Sequence, residues 1–302
     1  MAAAMSVTVA QQLRVSPLVL PAVDQNSERN PPIWGVARHE CTWNFYCRLV
    51  RPFLWAMRVH KANPPSGNPV VLSAPRAAQL FHFSKRVTCR LAVSHVERDA
   101  IFKLRYRSYL RAGLISQNSF GRYLEHADHA ANTCLMGLYV ERKLVSSLRL
   151  QMGSPITPSF SSLEHFPNVL EPLQRSNKTV VDLSCVATDG ELARQYVWLP
   201  YVILRCWIVA AEYFDADYIA AAVRPQHQVF YKRALDCELH SELRPLPHQF
   251  TSVGLVTFNF AKSAKHLYEN LPFLRSTPSE RHELFEPDTT PFKATGLYPS
   301  AP

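Results

Sequence analysis

The stretch that decides the fold is TVVDLSCVATDGELARQYVWLPYVILRCWIVAAEYFDADYIAAAVRPQHQVFYKRAL, residues 179–235. Its apolar pattern predicts two buried strands that alternate with two helices: Thr179–Ala187, Leu199–Phe214, Tyr218–Arg224 and His227–Leu235. The second strand shows no alternation of polarity, which is typical of a central parallel strand. Strand, helix, strand and helix in close succession predict a parallel βαβα unit.

Two polar side chains stand out inside this unit. Asp182 lies in the middle of a core strand, where a carboxylate costs several kcal/mol unless it is paired or hydrogen-bonded. It is therefore a candidate catalytic base, although a buried Asp can also simply hold a loop or an arginine. Tyr231 lies on the inner face of the last helix and is a candidate proton donor, with an ordinary core tyrosine as the alternative.

The rest of the chain extends this unit on both sides. A helix that begins at His95 and ends near Gly113 follows a first strand, and a charged turn around Glu141 indicates a hairpin. Residues 154–178 contain four prolines and predict a loop insertion with a short helix near Ser161–Phe166. The expected strands outside the unit are Arg86–Val93, the two halves of Thr133–Gln151, Cys237–Leu243 and Ser252–Phe260. This order predicts an α/β fold, a mixed α+β sheet with helices on both faces.

The predicted domain is therefore 86–260. Residues 1–85 form an N-terminal extension with proline-rich linkers and a basic-aromatic element at 41–60, CTWNFYCRLVRPFLWAMRVH. That element could lie on a membrane surface, pack as an accessory helix or be unstructured. Residues 261–302 are expected to be a C-terminal tail that is mostly loop.

Composition limits the class of protein. The chain has 302 residues, 47% of them hydrophobic, and a formal net charge of +9, which suggests an acidic partner. Seven scattered cysteines without a C-x-x-C pair suit a reduced, cytosolic protein. The sequence shows no convincing signal peptide and no membrane span, so we expect a cytoplasmic protein, with peripheral contact at the inner membrane surface through 41–60. A nucleic-acid binder is disfavoured because the arginines sit within a folded helix without a recognition motif.

Four stretches in order resemble the GNAT acyltransferase superfamily, and more narrowly the long-chain N-acyl amino acid synthases and the acyl-homoserine-lactone (autoinducer) synthases. They cover residues 86–260 and are LRYRSYLRAGLI (104–115), Glu125-x-x-Asp128, LVSSLRL (144–150) and RPQHQVFYKRAL (224–235). The chain departs from the family where E-x-S-R is replaced by Asp182-Leu183-Ser184-Cys185. It also lacks the glycine-rich pyrophosphate loop of acetyl-CoA enzymes, because 187–199 holds one glycine.

The resemblance implies an N-acyltransferase that moves a long fatty acyl chain from an acyl carrier protein thioester to the amino group of an amino acid. No tightly bound cofactor is expected; the acyl-acyl carrier protein, or acyl-CoA, is the donor substrate. The missing loop favours the acidic carrier protein, which a basic chain would attract. The implied catalytic residues are Asp182, Tyr231, Glu125 and Asp128, and the implied substrate-binding residues are Arg105, Arg149, Ser184, His227 and Arg224.

Other interpretations remain open at the level of sequence. The chain could be a CoA-dependent N-acetyltransferase acting on a small amine. Cys185, in place of the arginine, instead favours a catalytically degenerate GNAT-like protein that binds acyl carrier protein. Glu125, His126, Asp128 and His129 form a weak metal-ligand pattern, so no metal is expected. Catalysis by Cys185 is disfavoured because a buried strand cysteine is usually inert.

Overall fold

The computed structural model describes residues 72–286. The predicted element at 41–60 and the end of the predicted tail lie outside the described residues. Within the described part, one seven-stranded mixed sheet has the order β1-β2-β3-β4-β5-β7-β6. Its strands are β1 (Val87–Leu91), β2 (Thr133–Val140), β3 (Lys143–Gly153), β4 (Val180–Thr188), β5 (Tyr218–Val223), β6 (Glu238–Pro245) and β7 (Ser252–Asn259).

Helices cover both faces of this sheet, which confirms the predicted fold class. They are α1 (Ala74–Ser84), α2 (His95–Arg111), α3 (Ser161–His165), α4 (Pro167–Arg175), α5 (Leu192–Gln195), α6 (Leu199–Tyr213), α7 (Pro225–Leu235), α8 (Phe260–Asn270) and α9 (Pro278–Phe285). Short 3-10 turns lie at His126–His129 and Pro272–Leu274. None of the helices between residues 72 and 286 is long and apolar enough to cross a membrane.

Helix α6 is the centre of the core. Every residue from Tyr201 to Ala211 is buried, as the apolar sequence predicts. Pro200 lies in the first turn, where a helix needs no N–H donor. The Trp207 indole Nε1 donates a hydrogen bond of 2.9 Å to the Val181 carbonyl and so fixes the helix on β4.

The predicted parallel pair is present but short. Strands β4 and β5 pair only from Val180–Tyr218 to Asp182–Ala220, after which no register pair joins them. Two residues of β4 stand opposite one residue of β3 at Cys185, whose φ of +50° is left-handed. This is a β-bulge, which bends a strand and increases its local twist. The bulge and the early end of pairing together open the sheet between β4 and β5.

Two sequence predictions need correction. The insertion before β4 holds the unpredicted α4 after the predicted short helix, because a proline at the first turn starts a helix as readily as it ends one. The loop prediction for the tail is wrong over 261–285, where α8 and α9 pack on the core. Glu280 of α9 forms a buried ion pair with Arg205 of α6, with oxygen–nitrogen distances of 2.6 and 3.0 Å. Leu80 of α1, before the predicted domain, also belongs to the core.

Candidate active site

A cavity of about 280 Å³ fills the opening between β4 and β5. The end of α2, the start of α6, the start of α7 and the β6–β7 loop complete its walls. Its apolar lining includes Leu183, Val186, Leu199, Ile203, Ala222, Val223, Phe230 and Tyr231. Its polar lining includes Ser184, Cys185, Arg111, Arg224, His227 and Gln249. A concave, mainly apolar space with a few polar groups is the usual form of a ligand site.

Among residues 72–286, the edge of β4 that faces this cavity has no partner strand beyond Asp182. Two backbone carbonyls of β4 accept hydrogen bonds from side chains of α2 instead. The Ser108 hydroxyl donates to the Thr188 carbonyl at 3.1 Å, and the Tyr109 hydroxyl donates to the Val186 carbonyl at 3.4 Å. The cavity therefore borders a strand edge that α2 side chains, and not a neighbouring strand, contact.

The structure brings four of the predicted site residues into one cluster beside the bulge. Arg105 of α2 donates to both carboxylate oxygens of Asp128, at 2.8 and 2.9 Å. Arg149 of β3 donates to Asp128 at 3.2 Å and to Glu125 at 2.8 Å. Arg105, Asp128 and Arg149 are fully buried, whereas one third of the Glu125 side chain is exposed. Two guanidinium groups and two carboxylates thus compensate one another away from water, which buried charges require.

The charges of this cluster shift its pKa values. Burial alone would raise the pKa of Asp128, but the neighbouring Arg105 and Arg149 charges outweigh it and hold the pKa below its usual value. Glu125 behaves in the same way. Burial is opposed by the Arg149 charge and by the Tyr123 hydrogen bond, and the pKa is lowered. Both carboxyl groups are therefore ionised at neutral pH.

Asp182 is placed differently. It is fully buried under the first turn of α3, where the Ser162 backbone N–H donates to Oδ2 at 3.4 Å. Its Oδ1 has no hydrogen-bond partner within residues 72–286. Burial raises its pKa to about 6, against the opposing hydrogen bond from Ser162. Asp182 does not line the cavity, so the structure separates it from Tyr231, with which the sequence grouped it.

Three predicted residues of the α7 region do line the cavity: Tyr231, His227 and Arg224. The Tyr231 ring stands edge-on to Trp207, with ring centres 5.9 Å apart. Burial, followed by the nearby Arg224 charge, lowers the pKa of His227 to about 3, so this side chain is neutral. Burial raises the pKa of Tyr231, which therefore keeps its proton.

Ser184 and Cys185 connect the cavity with the charged cluster. The Ser184 hydroxyl accepts a hydrogen bond of 3.0 Å from Arg149 Nε. The Cys185 thiol lies 3.5 Å from Glu125 Oε2. Burial raises the pKa of Cys185 to about 12 in spite of the neighbouring Arg105 and Arg149. Cys185 is thus a neutral thiol, as the sequence predicts for a buried strand cysteine.

The structure gives the metal interpretation of this region no support. Between residues 72 and 286, no group of three or more His, Cys, Asp or Glu side chains is arranged to hold a metal ion. His126 and His129 are exposed, whereas Asp128 faces the two arginines. The carboxylates that suggested ligands are used in ion pairs instead.

Three further residues of the site escaped the sequence prediction. Ser161 donates to Gln151 and accepts from Arg149, each at 2.7 Å. Tyr123 donates to Glu125 at 2.7 Å and accepts from Gln249 at 3.0 Å. Tyr123 lies two residues before a predicted site residue, which is a weak signal. Gln249 lies in a loop and Ser161 begins the short helix α3. Neither carries a signal of its role in sequence.

Residues 100–258, more than half of the chain, match the sequence profile of the N-acyl amino acid synthase FeeM. The chain belongs to the FeeM N-acyl amino acid synthase family. It is therefore an acyltransferase. The site residues implied by the resemblance lie within the matched part.

Several solved structures resemble this chain at low sequence identity. The structure of FeeM, an N-acyl amino acid synthase from uncultured soil microbes, is 16% identical, covers 61% of this chain and 94% of that chain, and gives a TM-score of 0.49. BjaI, a CoA-dependent acyl-homoserine lactone synthase, is 12% identical, and the match covers 62% of this chain and 89% of that chain with a TM-score of 0.41. A putative N-acetyltransferase from Lactobacillus plantarum is 13% identical, and the match covers 57% of this chain and 96% of that chain with a TM-score of 0.39. The comparison with curated proteins gave no match.

Proposed function

We propose that this family member transfers a long fatty acyl chain from the thioester of an acyl carrier protein to the amino group of an amino acid. The observation that carries the proposal is the cavity at the opening between β4 and β5. It joins an apolar space to a free strand edge and to an ionised carboxylate. Acyl transfer needs all three: room for the chain, donors for the thioester oxygen and a group that binds the amine.

The acyl chain would lie against the apolar wall of the cavity. Ile203 of α6 and Phe230 of α7 line its floor, and Phe230 stands edge-on to Tyr201 with ring centres 5.4 Å apart. Burying apolar surface yields about 25 cal/mol per Å², so each added methylene group favours binding. This wall supports a fatty acyl donor over an acetyl donor.

The rim of the cavity supports an acidic carrier. Arg111 and Arg224 line the mouth, and the exposed Arg194 lies on the adjoining α5. The rest of basic helix α2 contributes less than the sequence suggests, because Arg105 is buried on Asp128 and Lys103 pairs with Asp99 at 2.7 Å. We therefore assign the attraction of an acidic protein to the rim and not to the whole helix.

The proposed chemistry follows from this arrangement. The amine nitrogen attacks the thioester carbon, and the carbonyl oxygen becomes an oxyanion that backbone N–H groups of the free β4 edge stabilise. The tetrahedral intermediate then collapses, the C–S bond breaks, and an amide forms. The departing thiolate takes a proton from the neutral phenol of Tyr231, and the nitrogen gives its second proton to the resulting phenolate as the amide forms.

The amino group of the acceptor enters as an ammonium ion, and one of the carboxylates takes a proton from it before the free amine attacks. Glu125 does not line the cavity either, but it is one third exposed and its Oε2 lies 3.5 Å from the thiol of Cys185, which does line it. Asp182 has the more favourable pKa but lies under α3 and needs a water to reach the amine. The geometry therefore favours Glu125, with Asp182 as the second candidate and Asp128 fixed in its ion pairs.

Expression in a bacterial host tests the proposal. We expect mass spectrometry of the lipid extract to find N-acyl amino acids with long chains. Glu125→Gln should abolish them if Glu125 is the base, and Asp182→Ala should abolish them if Asp182 is. Tyr231→Phe should lower the yield without loss of the fold, which circular dichroism checks. A folded wild-type protein that yields no acyl amide in any host would contradict the proposal.

Purified protein with matched donors separates the two thioester sources. We expect acyl-acyl carrier protein to be used with a lower KM than the acyl-CoA of the same chain length. Arg194→Glu should raise the KM for the carrier protein and leave that for a short acyl-pantetheine thioester unchanged. Equal KM values for both large donors, or a preference for acetyl-CoA, would instead favour the CoA-dependent N-acetyltransferase.

A further inference from the structure

A chain of hydrogen bonds connects the cavity to the half-buried Glu125 carboxylate. Each oxygen of that carboxylate has its own donor. Tyr123 donates its hydroxyl to Oε1 at 2.7 Å, and Arg149 donates to Oε2 at 2.8 Å. The other nitrogens of Arg149 are directed elsewhere, Nε to Ser184 and Nη1 to Asp128, so Oε1 depends on the phenol. The phenol therefore decides how the carboxylate is oriented.

A second loop controls the phenol. Gln249, in the β6–β7 loop, donates its side-chain amide to the Tyr123 oxygen at 3.0 Å. Gln249 itself lines the cavity. A phenol has one hydrogen to donate, and the amide occupies a lone pair of its oxygen. The phenol hydrogen is consequently directed to Glu125.

The two loops are held together independently of these side chains. The Phe250 backbone N–H donates to the Leu114 carbonyl at 2.7 Å. The Tyr123 ring packs edge-on against Tyr109, with ring centres 5.1 Å apart. Packing and backbone thus keep the loops in place if the phenol hydroxyl is removed, which makes its contribution separable.

We infer that Tyr123 and Gln249 are positioning residues that hold the Glu125 carboxylate toward the cavity for the amine of the acyl acceptor. The inference rests on the proposed function, in which Glu125 receives the ammonium group. Neither residue belongs to the motifs through which the sequence resembles its family. They extend the acceptor side of the site to the β6–β7 loop, opposite the charged cluster.

The inference makes the pH dependence of acyl transfer a specific readout. The Tyr123 hydrogen bond contributes to the lowered pKa of Glu125, after the Arg149 charge, so its loss moves that pKa upward. A base must be ionised to act, so the acidic limb of the kcat/KM profile moves to higher pH. The other titratable or charged groups that face Glu125 stay in place: Arg149, Asp128, Cys185 and His165.

The test is steady-state kinetics of purified variants. The fatty acyl thioester is held at a fixed concentration, and the amino acid concentration is varied up to saturation. We expect Tyr123→Phe to lower kcat/KM for the amino acid about 10- to 100-fold, the worth of a hydrogen bond to a charged group. The KM for the donor should not change. Gln249→Glu should be as damaging, because a carboxylate at 249 accepts the phenol hydrogen instead. Gln249→Leu should lower kcat/KM less. The double variant Tyr123→Phe with Gln249→Leu should have the same kcat/KM as Tyr123→Phe alone.

Tyr106→Phe is the matched control. The Tyr106 hydroxyl donates to the Asn118 carbonyl at 3.2 Å in the same loop but does not reach Glu125. The Tyr106→Phe variant should have the same kinetic constants and the same pH profile as wild type. An unchanged pH profile in Tyr123→Phe would overturn the inference. The inference would also be overturned if the loss of activity in all variants, including Tyr106→Phe, were simply proportional to the fall in melting temperature. A wild-type protein without acyl transfer would instead contradict the proposed function.

Discussion

Asp182→Asn should stabilise the folded protein at neutral pH, by an amount that grows as the pH rises. The carboxyl group has a pKa of about 6 in the folded protein and an ordinary value of 3.8. Because the folded pKa is the higher one, the folded state holds a proton that the unfolded state has lost. The contribution of this carboxyl group to stability is therefore fully present below pH 3.8 and is lost as the pH rises through 6.

The magnitude follows from the same two values. A difference of about two pH units in pKa corresponds to about 3 kcal/mol at pH 7.5. About half of this loss is already present at pH 5, since the unfolded chain is then ionised and the folded protein is not. The free-energy difference between Asp182→Asn and wild type should thus grow by about 1 kcal/mol from pH 5 to pH 7.5. Any constant effect of the new amide cancels in this comparison.

Urea unfolding of both proteins at pH 5 and pH 7.5 measures the difference. Asp217→Asn is the control. Its hydrogen bonds from Lys178 and from the Thr179 backbone outweigh burial and lower the Asp217 pKa below 3.8, so this variant should be less stable than wild type by the same amount at pH 5 and pH 7.5, and the gap should shrink only as the pH falls through 3.8. A difference between Asp182→Asn and wild type that does not change with pH would refute the reasoning.

Two further predictions concern the core. Arg205→Met should lower the free energy of unfolding by about 3–5 kcal/mol, because it leaves the Glu280 carboxylate buried without its partner; the double variant with Glu280→Gln should recover part of this loss in urea. Gly153→Ala should lower it by about 1–3 kcal/mol, because the new methyl group would lie 2.3 Å from the Phe160 ring. Gly190→Ala is its control, since the neighbouring atom belongs to a flexible arginine end.

These predictions have clear contrary outcomes. If the Arg205→Met and Glu280→Gln effects simply add, the two side chains do not interact as the structure describes. Equal melting temperatures for Gly153→Ala and wild type would mean that the Phe160 ring moves freely, and α3 would not be seated firmly over Asp182.

Much of the fold is determined locally along the chain. The run of apolar residues in α6, the strand without polarity alternation at Tyr218–Val223 and the charged hairpin turn each depend on neighbours in sequence. Their patterns predicted the elements and the parallel unit correctly. In the hairpin, Glu141 and Arg142 both adopt positive φ, which a tight two-residue turn requires even without glycine.

The helices after β7 were missed for a physical reason. Short α9 packs on α6, and amphipathic α8 packs on β5 and β7. The Arg205–Glu280 pair joins positions 75 residues apart. A sequence window cannot contain such a pair. The apolar positions of these helices become meaningful only when the surface that they cover is known.

The sequence alone selected the residue types of the site: an acid in a core strand, two arginines, a D-x-x-D-like pair and a tyrosine on a helix. Only the tertiary structure decided their partners. It joined Arg105 and Arg149 to Asp128, moved Asp182 under α3 and brought Tyr123 and Gln249 together from loops 126 residues apart. Secondary structure follows from short-range periodicity, whereas the pKa and the reach of a carboxyl group depend on burial and on charges that only folding brings close.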